Sequence, residues 1–363
     1  MAGNTFRAAS GTGLEYNALL TSTREKWHKN GVPQDAIFEA IPTLDALRSK
    51  GSFKTEADGG EVIRVSVIKE QNSNGKSYAG YEPANLTPQD EFTIGYDQWR
   101  QYSWTTPISG IELFKNSGSQ KIFDLLQEKE KVTYKSATED INKDIWALTA
   151  IVASGAGATG NSGKNINSIP LLVQKDPTDG EDVHGIDQSA EAWWRNRAIN
   201  GDGMTTAQLF IAKMRNAVNT ANRGRGGGMA DLIIFDQVSF EMFEDALDTK
   251  TRYMQTKTAS PGFEKIHYKG CECIWDVYVP DTNAETDGGP STTLTNGSVY
   301  VLNSNCLKFY CGKGKDFMPT PFVDGYYNGQ DAKVSMTMLY AQLITDSRRN
   351  QAVIYDLPSS FTP

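Results

Sequence analysis

The stretch ATGNSGKN, residues 158–165, comes nearest to a phosphate-binding loop. The pattern GxxxxGK[ST] works because glycine amides cradle phosphate, a lysine reaches its oxygens and a hydroxyl holds magnesium. Here Ala158 stands where the first glycine is needed, and Asn165 stands where the hydroxyl belongs. The stretch also follows a helical pattern, whereas a phosphate loop leaves a strand and enters a helix whose N-terminal amides face the ligand. It reads as an interdomain loop. RGRGGG, residues 223–228, has the same defect of order: it closes a helix near Asn222 and feeds the strand pattern ADLIIFD. Its glycines suit a helix cap and a turn, while its two arginines leave an anionic contact open.

The four cysteines invite a zinc reading. Cys271 and Cys273, however, are two apart on a strand pattern, and Cys306 and Cys311 flank the strand-like LKFY. A structural zinc site usually spaces its thiolates as CxxC around a turn, so buried free thiols are the better reading. The three histidines, His28, His184 and His267, fall in separate segments, with no HExxH and no GxSxG. Acidic pairs such as Glu181 and Asp182 sit in polar stretches. No residue is thus nominated as catalytic, cofactor-binding or metal-ligating, and the expectation is a protein that is not an enzyme. AEAWWRNRAI, residues 190–199, sets Trp193 and Trp194 beside Arg195. Such a group suits base or glycan stacking, or an anchor at a protein interface, and the interface is preferred.

What positions these residues follows from length and pattern. A chain of 363 residues holds about two ordinary domains. A net charge of -8 argues against gripping nucleic acid through a broad basic face, although enclosing nucleic acid requires no such face. No apolar run reaches the length of a membrane span and MAGNTFRAASGTG lacks the apolar core of a signal peptide, so assembly in a cytoplasm is expected.

Leu14, Leu19 and Leu20, the cationic REKWHKNG, and the short helical patterns QDAIFEAIP and TLDALRSKG form an arm that has little to bury alone. Two strand patterns follow, EVIRVSVIKE from Glu61 and YDQWRQYSW from Tyr96 to Trp104. About twenty-five residues separate them, where a compact hairpin needs two to five. Within that excursion, NSNGKSYAGYEP carries Lys76, Tyr78 and Tyr81. Next comes the longest helical periodicity, with apolar or small positions from Ile122 to Val152 and charges at Lys135, Glu139 and Lys143. An unbroken helix from Ser119 to Ala153 would be about 50 Å long. Beyond it, IPLLVQK reads as a strand, TTAQLFIAKMRNAVNTAN as a helix, ADLIIFD as a buried strand and QVSFEMFEDALDTKTRYM as a helix. KIHYKGCECIWDVYVP and GSVYVLNSNCLKFYCG supply more strands, DAKVSMTMLYAQLIT one long strand and AVIYDL a short one.

In this order, with YAGYEP, ISGIELFKNSG, GIDQSAEAWWRN, ADLIIFD, YKGCECIWDVYVP and LYAQLITDSRRNQAVIYDL as its local marks, the chain resembles the major capsid proteins of tailed double-stranded DNA bacteriophages. The resemblance implies an α+β Hong Kong 97-like fold. Residues 1–52 would be an N-terminal arm and 53–107 an extended β-hairpin loop with the start of a peripheral domain. Residues 108–155 would be the peripheral domain with a long spine helix, and 156–320 a mixed α/β axial domain. Residues 321–347 would return a long strand to the peripheral domain, and 348–363 a last strand to the axial domain. It further implies self-assembly through hexamers and pentamers into an icosahedral shell around double-stranded DNA, bound without sequence specificity. Copies of itself and scaffolding, portal and cement proteins would be the partners, with no membrane and no cofactor; the virion is the expected location. The short start before the arm suggests a separate scaffolding protein. Lys76, Tyr78, Tyr81, Trp99, Trp193, Trp194 and Arg195 are the expected inter-subunit contacts. Lys69 and Lys76 are loop lysines, but nothing identifies a cross-linking partner for either. The alternatives are an encapsulin-type nanocompartment shell, an α/β enzyme built on residues 165–320, and a glycan-binding tail protein using Trp193 and Trp194.

Overall fold

A computed structural model describes residues 41–57, 59–115, 125–147, 164–178, 182–223, 228–248, 266–280, 297–325, 329, 331–358 and 360. The arm before residue 41, most of ATGNSGKN, the centre of RGRGGG and both ends of the longest helical pattern lie outside these residues. The described chain forms two compact units. The larger holds residues 39–101, 139–316 and 340–363, and the smaller holds 102–138 and 317–339.

The larger unit is organised by a six-stranded sheet in the order Arg197–Asn200, Ala352–Leu357, Gly297–Leu302, Leu232–Phe235, Cys271–Trp275, Ile266–Tyr268. Leu232–Phe235, from the ADLIIFD pattern, is buried at every position, as a central strand covered on both faces must be. Its neighbour Cys271–Trp275 runs parallel to it and Gly297–Leu302 antiparallel, so the sheet is mixed. Helix Ala207–Ala221 begins where the Thr206 hydroxyl accepts from the Leu209 N–H. It buries Phe210, Ile211, Met214, Ala217, Val218 and Ala221, the three- and four-residue spacing of one helical face. Helix Gln237–Asp248 adds Phe240 and Phe243 to the same core, against Ile233, Phe235, Val299 and Ile354.

IPLLVQK departs from expectation. Residues Ile169–Leu172 form one helical turn, all four buried, with the Ser168 hydroxyl accepting from the Leu171 N–H. Pro170 cannot donate to a strand ladder but fits a first helical turn, and that decides an apolar run too short for periodicity to decide. The YDQWRQYSW pattern is also two strands, Phe92–Gln98 and Arg100–Ser109, separated at Trp99.

A buried carboxylate joins three segments of the larger unit. Asp276 accepts from the Thr43 hydroxyl at 2.6 Å, the Thr43 N–H at 3.3 Å, the Asn142 amide at 3.0 Å and the Tyr278 N–H at 3.0 Å. The indole N–H of buried Trp146 donates to the same Thr43 hydroxyl at 3.2 Å. Burial pushes the Asp276 carboxyl above its usual range, opposed chiefly by the Thr43 and Asn142 hydrogen bonds. A second buried network is centred on Arg348, which donates to the Leu172 carbonyl, Gln188 Oε1 and Asn196 Oδ1 at 2.7, 2.8 and 3.0 Å.

In the smaller unit, Ser109 and Glu112 form a capping box at helix Gly110–Lys115: the Glu112 carboxylate accepts from the Ser109 N–H and the Ser109 hydroxyl from the Glu112 N–H. Lys129 pairs with Glu112 at 2.9 Å. Trp104 stacks on Phe317, and Tyr134 meets the same ring edge-on. Helix Leu125–Trp146 contributes its residues through 138 here and the rest to the larger unit. The long strand pattern forms as Ala332–Thr345, whose last residues pair with Leu307–Gly312 in the larger unit.

Candidate assembly surface

Strands Val62–Ile68 and Phe92–Gln98 pair antiparallel along their whole length, with Arg64 opposite Tyr96, Ser66 opposite Ile94 and Ile68 opposite Phe92. Residues facing each other across a ladder share a face. One face therefore carries Ile63, Val65 and Val67, and it packs on Ile344, Trp99 and Tyr310. The other carries Ile68, Phe92, Ile94 and Tyr96, all exposed. The ribbon is apolar on both sides and covered on one.

Its root is held closely. The Tyr96 N–H donates to the His184 carbonyl at 3.0 Å. Gly95 permits this approach, since a Cβ there would lie 3.2 Å from that of His184. His184 Nδ1 bonds the Asp97 carboxylate, and its Nε2 accepts from the Thr345 N–H at 3.2 Å, which fixes the Nδ1–H tautomer. Asn167 bridges Asp97 and the Leu343 carbonyl at 3.0 and 3.1 Å.

Beyond the ribbon the excursion continues as a polar ladder. The Lys69 N–H donates to the Glu91 carbonyl at 2.9 Å and its ammonium pairs with Asp90 at 2.7 Å. The Asp90 hydrogen bond raises the Lys69 pKa, with the charges of Asp90, Glu70 and Glu191 adding to it. Ser73 donates to Gln89, and the Asn74 amide to the Thr87 carbonyl at 2.8 Å. The remaining tip displays Lys76, Tyr78, Tyr81 and Leu86 to solvent, with Tyr78 72% and Leu86 87% exposed.

The expected contact residues therefore divide. Lys76, Tyr78 and Tyr81 share the tip. Trp99 is half-buried under the ribbon. Trp194 is 1% exposed, its indole N–H donating to the Val183 carbonyl, so it packs within its own subunit and has no surface for a neighbour. Trp193 is half-buried beside it, bonded to Glu191. Arg195 donates to the Gln188 and Ser189 carbonyls. Ile68, Phe92, Ile94 and Tyr96 were not singled out, although the alternation in FTIGYDQ signals a second apolar face. The thiols are all buried and free. Burial pushes Cys271 up to about 11 and Cys311 up to about 12, and raises Cys273 and Cys306 as well. Such thiols are protonated and inert at neutral pH.

No protein-family model matches the chain, and no curated protein matches it in sequence. Solved structures do. The capsid of cyanophage A-1(L) aligns at a TM-score of 0.59 and 14% identity, covering 90% of this chain and 95% of that one. The chain has the Hong Kong 97-like capsid fold. The capsid of a native GTA particle shares this Hong Kong 97-like fold at a TM-score of 0.55 and 9% identity, over 90% and 95% of the two chains. So does the SrpI encapsulin of Synechococcus elongatus PCC 7942, at 0.53 and 10% identity, over 90% and 94%.

Proposed function

We propose that this chain is the structural major capsid protein of a tailed double-stranded DNA bacteriophage, assembling through hexamers and pentamers into an icosahedral shell. The observation that carries the reading is the ribbon Val62–Ile68/Phe92–Gln98 with its tip. It presents Ile68, Phe92, Ile94, Tyr96, Tyr78, Tyr81 and Leu86 to solvent, on a fold shared with capsid subunits. Aromatic and aliphatic groups projected on a long hairpin gain stability only by lying on another molecule, and another copy of the chain is the partner. In this reading the hairpin is the extended loop, helix Leu125–Trp146 belongs to the spine, and Lys76, Tyr78 and Tyr81 make the contact. The shell encloses the genome without reading its sequence, works with scaffolding, portal and cement proteins, and is built in the host cytoplasm.

An encapsulin-type shell is the second reading, favoured by the likeness to the SrpI encapsulin. Negative-stain microscopy of the purified protein tests both. Closed shells or capsomer rings support assembly, and a monomer that persists at high concentration sinks it. Nuclease-protected DNA inside shells made during infection supports the phage, and a protein cargo supports the nanocompartment.

A further inference from the structure

Arg197, Arg223 and Arg349 come together at one end of the six-stranded sheet of the larger unit. Arg197 opens the edge strand Arg197–Asn200, pairs in register with Ala352, and its N–H donates to the Gln351 carbonyl at 3.0 Å. Arg349 lies two residues before Gln351, in the 3-10 turn Arg348–Asn350. Arg223 follows helix Ala207–Ala221, which packs on both that turn and the edge strand. Beside Arg223, the Asn222 side chain accepts from the Ala230 N–H, and the Gly228 carbonyl accepts from the Asn303 amide.

None of the three guanidiniums has an ion-pair partner among the described residues. Arg197 Nε is buried and has no hydrogen-bond partner at all. Burial first, then the charges of Arg349 and Arg223, lower the pKa of Arg197. The neighbouring arginines are treated differently by the fold. Arg348 donates to three acceptors and Arg195 to two carbonyls. Arg348 and Arg195 are thus supplied with acceptors by the fold, whereas Arg197 Nε is not. In sequence, residues 224–227 read GRGG, which adds Arg225 and no acid.

We propose that Arg197, Arg223 and Arg349 form a binding site for a phosphate group. Clustered like charges without a counterion destabilise a fold, and a bound anion offsets them. A guanidinium presents forked donors that match phosphate oxygens, and a phosphate offers enough oxygens to engage three forks where a carboxylate offers two. The overall charge of -8 does not oppose this, because an anion site depends on the charges within a Debye length. The phosphate has two sources, the backbone of enclosed nucleic acid or a free polyphosphate or nucleotide.

The test is titration calorimetry of the purified full-length protein with inorganic pyrophosphate and, separately, a short duplex DNA, at several salt concentrations. Arg223 and Arg349 are exposed, so Arg223→Gln and Arg349→Gln are not expected to disturb folding. Each is expected to weaken pyrophosphate binding about tenfold. Arg64→Gln, at an exposed arginine of the hairpin, is expected to leave it unchanged. If the duplex displaces pyrophosphate, and each substitution lowers the salt slope of its binding by about one, the source is the nucleic-acid backbone. If pyrophosphate binds undisturbed by duplex, the source is a free phosphate compound. Failure of the wild-type protein to bind either probe overturns the site, as does an equal loss in Arg64→Gln. A change in assembly state in Arg349→Gln without phosphate binding also overturns it and assigns the cluster to a carboxylate of a second copy. Binding is read on subunits as well as shells, so the outcome is independent of whether shells form.

Discussion

Thr43→Val is the substitution whose cost follows most directly from the geometry. Valine keeps the shape of threonine and removes its hydroxyl. That hydroxyl donates to the buried Asp276 carboxylate at 2.6 Å and accepts from the Trp146 indole at 3.2 Å. A hydrogen bond to a charged group contributes about 1.5–3 kcal/mol, and a buried donor left unpaired costs about 1–3 kcal/mol. The two losses share one atom and do not add fully, so the expected destabilisation is about 3–4 kcal/mol. Thr43→Ser keeps both bonds and loses one methyl, for about 1 kcal/mol. Urea unfolding of the purified protein, followed by tryptophan fluorescence, measures both, in the transition of the larger unit. The pH dependence has a definite sign. Burial raises the native pKa of Asp276, so the native state holds this proton more tightly than the unfolded chain. Its contribution to stability therefore falls as pH rises from the ordinary aspartate range through the native value, then levels off. The Thr43 bond opposes that fall, so the deficit of Thr43→Val grows across the same window and shrinks in acid. Equal midpoints for the valine and serine variants would refute the account of this junction.

The other expectations concern the ribbon and the core. Gly185 has φ +72°, and a Cβ there would lie 2.7 Å from the Tyr96 ring. Gly185→Ala should cost about 1–2 kcal/mol from backbone strain alone and speed amide exchange over residues 92–98; unchanged exchange there would count against the packing. Replacing residues 70–90 with Asn-Gly joins Lys69 to Glu91 by a two-residue turn. The urea midpoint of the subunit should hold while shell formation fails, and normal shells of equal heat resistance would remove the hairpin tip from assembly. In native protein at pH 8 all four thiols should resist a disulfide reagent and react after denaturation, whereas rapid reaction of any native thiol would contradict their burial.

The ribbon was legible because its strands alternate and its register is fixed by that alternation. Helix Ala207–Ala221 was legible from its three- and four-residue period, and the buried strand Leu232–Phe235 from an unbroken, Ile-rich apolar run bounded by Asp231 and Asp236. Ile169–Leu172 was not, because four apolar residues fit a buried strand or a helical turn equally well and the Ser168 cap settles it. Trp194 was misplaced because side-chain type cannot tell an interface anchor from a core residue. The Asp276 junction joins Thr43 to a residue 233 positions away, and no local pattern records such a pairing. The arginine site stands between these cases: Arg197, Arg223 and Arg349 each sit in a visible arginine-bearing stretch, and only the fold brings the stretches together.

Under the proposed capsid function, a newly made subunit must carry its uncovered ribbon through the cell before any neighbour arrives. A two-stranded ribbon with an exposed apolar face is a template for indiscriminate pairing. The charges set along this one, Arg64 on the apolar face and Lys69, Glu70, Asp90 and Glu91 at its far end, are where gatekeepers against such pairing belong. They leave Ile68, Phe92, Ile94 and Tyr96 available to a surface that answers both the grease and the charge. In that proposed role the same hairpin sets two limits on the protein, how firmly a finished assembly holds and how long an unfinished one stays in solution.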